Sequence, residues 1–261
     1  MIIGTPILIG FYFTISQFGE YWWFIFGLFI FLFSLLLGRL APLLIFPLFY
    51  KFEPLDNESL KIQISDLCLN NNISIKGIYS FNFSKNTKKA NAAFTGLGKA
   101  KRIIISDTLL DNFTEDEILS VFAHEPGHYK KKHILKLIAL SFVLTFSGLY
   151  AVSVLYQYFV SISGYVNIQQ ISALPVLALL LSGYGLLTLP ISNILSRRYE
   201  READKFSLSV IKKADIYISV LEKLSKQNLS YKTPNKIVEF LFHSHPSIEK
   251  RIQNAAKYTY N

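Results

Sequence analysis

Cysteine is nearly absent: Cys68 is the only one in 261 residues. The chain therefore cannot close an internal disulfide, which fits a reducing compartment without establishing one. Charge is scarce as well. Only 17% of the residues are charged, against 51% hydrophobic and 15% aromatic, and the mean hydropathy is +0.32. That balance excludes an ordinary soluble domain and points to a membrane class. No internal repeat and no low-complexity linker breaks the sequence.

Charge is missing altogether from two long runs, Leu137–Val166 and Ile171–Leu195, the second with Pro175 and Pro190 near its ends. Tyr21–Tyr50 contains Arg39 alone. A spanning helix needs about 20 apolar residues to cross about 30 Å of hydrocarbon, so each run predicts spanning structure. Met1–Phe18 predicts a fourth, shorter span, because it lacks the basic start and small-residue cleavage site of a secretory signal. No predicted span offers an inward-facing acidic residue, which argues against a transporter or channel.

The basic residues are confined. Of 27 Lys and Arg residues, 25 lie in 51–135 and 197–261, the others being Arg39 and Lys136. The turn around Glu20 and the loop 161–170 have none. Positive residues stay on the cytoplasmic side, so the net charge of +9 reads as membrane topology rather than nucleic-acid binding. Four parts follow: a transmembrane hairpin (1–50), a polar α/β segment (51–133), a second transmembrane hairpin (134–196) and a helical tail (197–261), with both polar parts cytoplasmic.

Within the polar part, Leu60, Ile64 and Leu67 recur at helical spacing over Asn57–Asn70. Ile73–Phe83 alternates as a strand does, and KRIIIS (101–106) reads as another. Thr114 with Glu117 three residues on is a capping box, and Glu115 and Asp116 suit a first turn. A helix is expected from Glu115 through HEPGH (124–128).

HEPGH carries the chemistry. Positions four apart share a helix face, so His124 and His128 can present two imidazoles to one zinc ion. Glu125, about 100° round, can act as general base on a water there. A catalytic zinc takes a third protein ligand and keeps one open position. Glu200, in SRRYEREADKF (196–206), would complete a His₂Glu set, and Asp204, one turn on, would orient a ligating histidine. Glu202 points elsewhere and reads as a solvated charge. Pro126 sits between the two histidines. It has no N–H for Phe122 and crowds that carbonyl, at ~3 kcal/mol or a kink. Metal binding can offset such a cost.

The blocks PLFYKFEPL (47–55), NAAFTGLGKAKRIIISDTLL (91–110), HEPGHYKKKH (124–133), SRRYEREAD (196–204) and HSHPSIEKRI (243–252) occur in the order found in the CAAX prenyl protease 1 type of zinc metalloprotease, which the chain resembles over nearly its whole length. The resemblance implies a mainly α membrane protein, with about four transmembrane helices and a cytoplasmic gluzincin-like α/β catalytic domain with a small sheet. It implies one Zn²⁺ per chain on His124, His128 and Glu200, with Glu125 activating water and Asp204 behind a ligand. Asn91, Ala92, Ala93, Phe94 and Thr95, with Gly96, would form an edge strand that accepts substrate backbone. His245 would steady the oxyanion or merely precede Pro246 at a helix start. Arg251 would pair with a carboxylate near the site or lie on the surface, and His133 and His243 would be structural or interfacial. The implied partners are a peptide or protein substrate and membrane lipid, and no nucleic acid. Two departures stand out. Pro126 replaces the family's usual Leu or Ile. The family's prenyl proteases also have further spanning helices before the point matching Met1, so the sequence reads as a short homologue, a fragment or the product of a displaced start. The rival reading is a catalytically silent relative that binds peptide or lipid as a scaffold.

Overall fold

The computed structural model describes residues 4–95, 101–228 and 233–258, so Gly96 of the expected edge strand lies outside the described residues. The helices in chain order are α1 (Gly4–Gln17), α2 (Trp22–Leu40), α3 (Phe46–Phe49), α4 (Glu58–Asn70), α5 (Asp107–Asn112), α6 (Glu115–Lys130), α7 (His133–Ile162), α8 (Leu174–Ile211), α9 (Ala214–Gln227), α10 (Lys236–Phe242) and α11 (Ile248–Ala256). The strands are β1 (Phe52–Pro54), β2 (Gly77–Phe81), β3 (Ala92–Thr95) and β4 (Arg102–Ser106). The chain divides into two compact units, Met1–Gly38 with Leu135–Ser192, and Arg39–Ile134 with Asn193–Asn261.

The first unit is helical. Phe11, Ile15, Trp22, Phe26, Leu149, Val152, Tyr156, Val160 and Leu177 form its buried cluster, with Phe11 edge-on to Trp22 and Phe26 at 5.7 and 5.4 Å. Tyr184 donates its hydroxyl to the Leu144 carbonyl at 2.8 Å, and its ring lies 2.3 Å from where a Cβ on Gly148 would stand. Glycine there lets the ring seat against the α7 backbone. Leu179, Leu186 and Leu187 face outward, as lipid-facing positions do. Among the described residues, three helices are long and apolar enough to cross a membrane: Gly19–Leu40, His133–Ile162 and Ile171–Ile211. Of the fourth expected span, Met1–Phe18, residues 1–3 lie outside the described residues. Its described part is α1, 14 residues, about 21 Å at about 1.5 Å per residue.

The second unit holds a four-stranded sheet in the order β1-β2-β4-β3. β1 runs antiparallel to β2, β2 parallel to β4, and β3 antiparallel to β4. α4 buries Leu60, Ile64 and Leu67, as its spacing requires, against Ile78, Ile103, Ile105, Leu109, Ile118 and Phe122. Asn57 caps α4 by accepting from Leu60 N at 3.0 Å. Strand β2 is shorter than the alternation suggested. Asn72 takes a positive φ of 57°, and Ile73 N still bonds the Cys68 carbonyl at 2.9 Å, so the helix end holds residues the pattern assigned to the strand. Cys68 is buried in this core, and burial pushes its thiol up to about 11.

Candidate metal centre

α6 starts where the capping box sets it: Glu117 Oε2 accepts from Thr114 N at 2.9 Å, and Thr114 Oγ1 accepts from Glu117 N at 3.4 Å. It stays helical through the buried Pro126 to Lys130. A Cβ on Gly127 would lie 2.9 Å from the Ala203 Cα and 3.1 Å from the Phe206 Cβ. Two small residues, one inside each motif, thus let α6 and α8 approach closely enough for HEPGH to meet EREAD.

The nitrogens converge despite the proline. His124 Nε2 and His128 Nε2 are 3.0 Å apart. Glu200 Oε2 lies 3.3 Å from the first and Oε1 3.4 Å from the second. One ligand atom from each of His124, His128 and Glu200 can be chosen so that all lie within 4.8 Å of one another. Two nitrogens each about 2 Å from a shared zinc can be no more than about 4 Å apart, so the pair is within reach of one ion. The electrostatics favour positive charge here. Burial opposes a charged imidazole, but the carboxylates of Asp204 and Glu200 outweigh it and lift His124 to about 9. An imidazole pair plus a carboxylate in such a field is a donor set that fits zinc.

Asp204 lies behind His124, its Oδ1 2.9 Å from Nδ1. Arg251 settles between its two expected placements by clamping Asp204, with Nε to Oδ2 at 2.9 Å and Nη2 to Oδ1 at 2.7 Å. The Tyr217 hydroxyl donates to Asp204 Oδ1 at 2.6 Å. Tyr217 carried no sequence signal beyond its place on the apolar side of α9. Glu125 is beside the cluster, and burial raises its carboxyl above the usual range. His245 Nε2 is 3.5 Å from Glu200 Oε1, and Ser244 Oγ lies 2.9 Å from His245 Nδ1.

One expectation is corrected. Glu202 is not a free solvated charge: it lies 3.2 Å from His133 Nε2 and accepts from Arg198 Nε at 3.1 Å. His133 is buried and contacts His128, Nδ1 to Nδ1, at 3.0 Å. Lys132 takes a φ of 54°, which ends α6 and swings His133 back toward it; nothing in a lysine codes for that turn.

A cleft of about 200 Å³ is lined by His124, Glu125, Glu200, His245 and also by Asn91 and Ala92. β3 is at the sheet edge. The Asn91 carbonyl accepts from Ser106 N at 2.9 Å, and the register pairs Ala93 with Ile104 and Thr95 with Arg102. Main-chain groups alternate along a strand, so Asn91, Ala93 and Thr95 turn theirs to β4. Ala92 and Phe94 turn theirs outward, where they are unpaired among the described residues. Of the five expected segment residues, only these two offer free main-chain groups. The Phe94 side chain packs on Phe122 at 5.0 Å, so it belongs to the core.

The description Peptidase family M48 matches residues 54–259. The chain belongs to peptidase family M48. Residues 1–51 match a second description, CAAX prenyl protease N-terminal, five membrane helices. The Bacillus subtilis protein called uncharacterized metalloprotease YhfN is 33% identical over 259 residues, covering 98% of this chain and 61% of that one. CAAX prenyl protease 1 of Saccharomyces cerevisiae is 29% identical over 270 residues, 96% of this chain and 59% of its own. The crystal structure of S. mikatae Ste24p superposes with a TM-score of 0.86 at 28% identity, covering 98% of this chain and 63% of that chain. This M48 chain thus spans about three-fifths of the length of these relatives. M48 is a metalloprotease family, and with its apolar helices and Ste24p-like fold this member is an integral membrane protein.

Proposed function

We propose that the chain is a zinc-dependent endopeptidase that cleaves membrane-associated peptides, prenylated-type peptides among them, with its catalytic unit on the cytoplasmic side. The observation that carries this reading is the convergence of His124, His128 and Glu200 in the cleft that Glu125 also lines. A bound zinc ion supplies Lewis acidity and lowers the pKa of its water to about 7.

The chain's own groups do the rest. The carboxylate of Glu125 takes a proton from the attacking water and returns it to the leaving amine. The outward N–H and C=O of Ala92 and Phe94 pair with an extended substrate backbone, which aligns the scissile bond along the cleft. His245, with Ser244 on its Nδ1, presents Nε2–H toward the developing oxyanion. The prenylated class is drawn from relatives named CAAX prenyl protease 1. The cytoplasmic side rests on 25 of 27 basic residues lying in 51–135 and 197–261. The scaffold reading draws on Pro126 and on the further spanning helices of the family's prenyl proteases; the 3.0 Å approach of the two Nε2 atoms across the proline speaks against the first of these.

The test uses detergent-purified chain, metal analysis and a peptide-cleavage assay. Near-stoichiometric zinc is expected in the parent and in Glu125→Gln, with cleavage falling by about 10²–10⁴-fold in the variant. A parent without zinc, or a variant with unchanged turnover, refutes the proposal.

A further inference from the structure

The hydrogen-bonded groups behind His128 continue beyond it. His133 is 1% exposed and stacks on the Tyr199 ring at 4.2 Å and 11°. Its Nδ1 lies 3.0 Å from Nδ1 of His128, and its Nε2 lies 3.2 Å from Glu202 Oε2. The other Glu202 oxygen accepts from Arg198 Nε at 3.1 Å. His133 meets His128 on the side of the ring away from Nε2, so it is not a fourth ligand.

With His133 neutral, counting protons assigns the tautomers. A carboxylate held ionised by an arginine can only accept. His133 Nε2 must then carry hydrogen. A neutral imidazole has one N–H, so His133 Nδ1 is an acceptor and His128 Nδ1 must donate to it. That leaves the lone pair of His128 on Nε2, facing His124 Nε2 and Glu200. Glu202 cannot do this directly. It is two residues from Glu200, about 200° round the same helix, so its carboxylate points away from the metal cluster. The interposed imidazole of His133 bridges the gap.

We infer that His133 and Glu202 form a relay that holds His128 in its ligating tautomer and orientation. The inference rests on the proposed zinc site. His133 and Glu202 are positioning residues: neither touches the metal position or the substrate cleft. The two ligating histidines are thus supported unequally. His124 has its carboxylate, Asp204, in direct contact at 2.9 Å, and His128 reaches its own through a second ring. Outer partners of this kind are worth about 10–100-fold in metal affinity.

The experiment measures the zinc dissociation constant of the full detergent-purified chain by competition with a chromophoric chelator, together with thermal melting of the chelated protein. His133→Ala is expected to weaken zinc binding by about 10–100-fold. Glu202→Gln, on a partly exposed side chain, is expected to weaken it by about tenfold without changing the melting of the chelated protein. His133→Gln offers an amide oxygen toward His128 and an amide N–H toward Glu202, and is expected to recover most of the affinity lost in His133→Ala. If the parent binds zinc and both His133→Ala and Glu202→Gln bind it equally well, the relay is overturned while the zinc site stands. Failure of His133→Gln to recover affinity assigns His133 a packing role and also overturns it. A parent that binds no zinc overturns the site and the relay together.

Discussion

Gly127→Ala sets two physical effects against each other. In a helix interior alanine is preferred over glycine by about 1 kcal/mol, so propensity alone predicts a more stable protein. The added Cβ would stand 2.9 Å from the Ala203 Cα, 3.1 Å from the Phe206 Cβ and 3.3 Å from the Ala203 Cβ. The nearest of these is backbone and cannot rotate away, so α6 and α8 must separate by roughly 1 Å to restore van der Waals contact. Overpacking of this kind costs about 1–3 kcal/mol, which outweighs the propensity gain. The larger consequence is at the site. His124 and His128 ride on α6 and Glu200 on α8, so the separation spreads the ligand set. A misplacement of about 1 Å can cost about 10²-fold in a reaction that depends on positioning. Zinc titration, peptide cleavage and thermal melting of the variant together decide the matter. The expected result is a melting temperature at or below the parent's, weaker zinc binding and loss of cleavage. A variant that melts higher and binds zinc as the parent does would show that the close approach of α6 and α8 does not position the site.

Pro126→Ala restores an N–H for the Phe122 carbonyl and removes the ring from it, so denaturant unfolding should show a gain of about 1–3 kcal/mol with cleavage retained; a collapse in cleavage would mean that the proline shapes the site. Glu117 accepts from Lys223 Nζ at 2.7 Å and Ser219 Oγ at 2.9 Å. Despite its burial, these bonds and the Thr114 N–H hold its carboxyl below the usual value of 4.5. A group whose folded-state pKa is depressed stabilises above its unfolded value and loses that contribution as pH falls through the folded one. Glu117→Gln should therefore melt lower than the parent at neutral pH, with the gap closing as the solution is acidified below about 4.5; a gap that does not change with pH refutes the assignment. Arg197 is buried and donates to the carbonyls of Glu239 at 2.9 Å, His243 at 2.5 Å and Phe240 at 3.3 Å. Arg197→Met should cost about 1–3 kcal/mol and lower cleavage through the His245 segment with zinc content unchanged; unchanged kinetics would detach Arg197 from His245.

The features legible in the sequence are those set by neighbours along the chain. Helical spacing placed Leu60, Ile64 and Leu67 on the buried side of α4, and a capping box marked the start of α6. Long runs with little or no charge marked the long apolar helices. The four-residue interval put His124 and His128 on one face, and the same interval in EREAD made Glu200 and Asp204 the matching pair. Each spacing follows from the i to i+4 geometry of one helix, whereas the ligand reading of EREAD, on its own a surface charge run, needed HEPGH beside it. The tertiary structure alone decided which distant groups meet. It put Arg251 and Tyr217 on Asp204, and it turned Ala92 and Phe94 to the open edge through the register with β4. It also folded His133 back onto His128 through a left-handed lysine. None of these is fixed by local preference, because each depends on where a second element lies and on what that element offers as a partner.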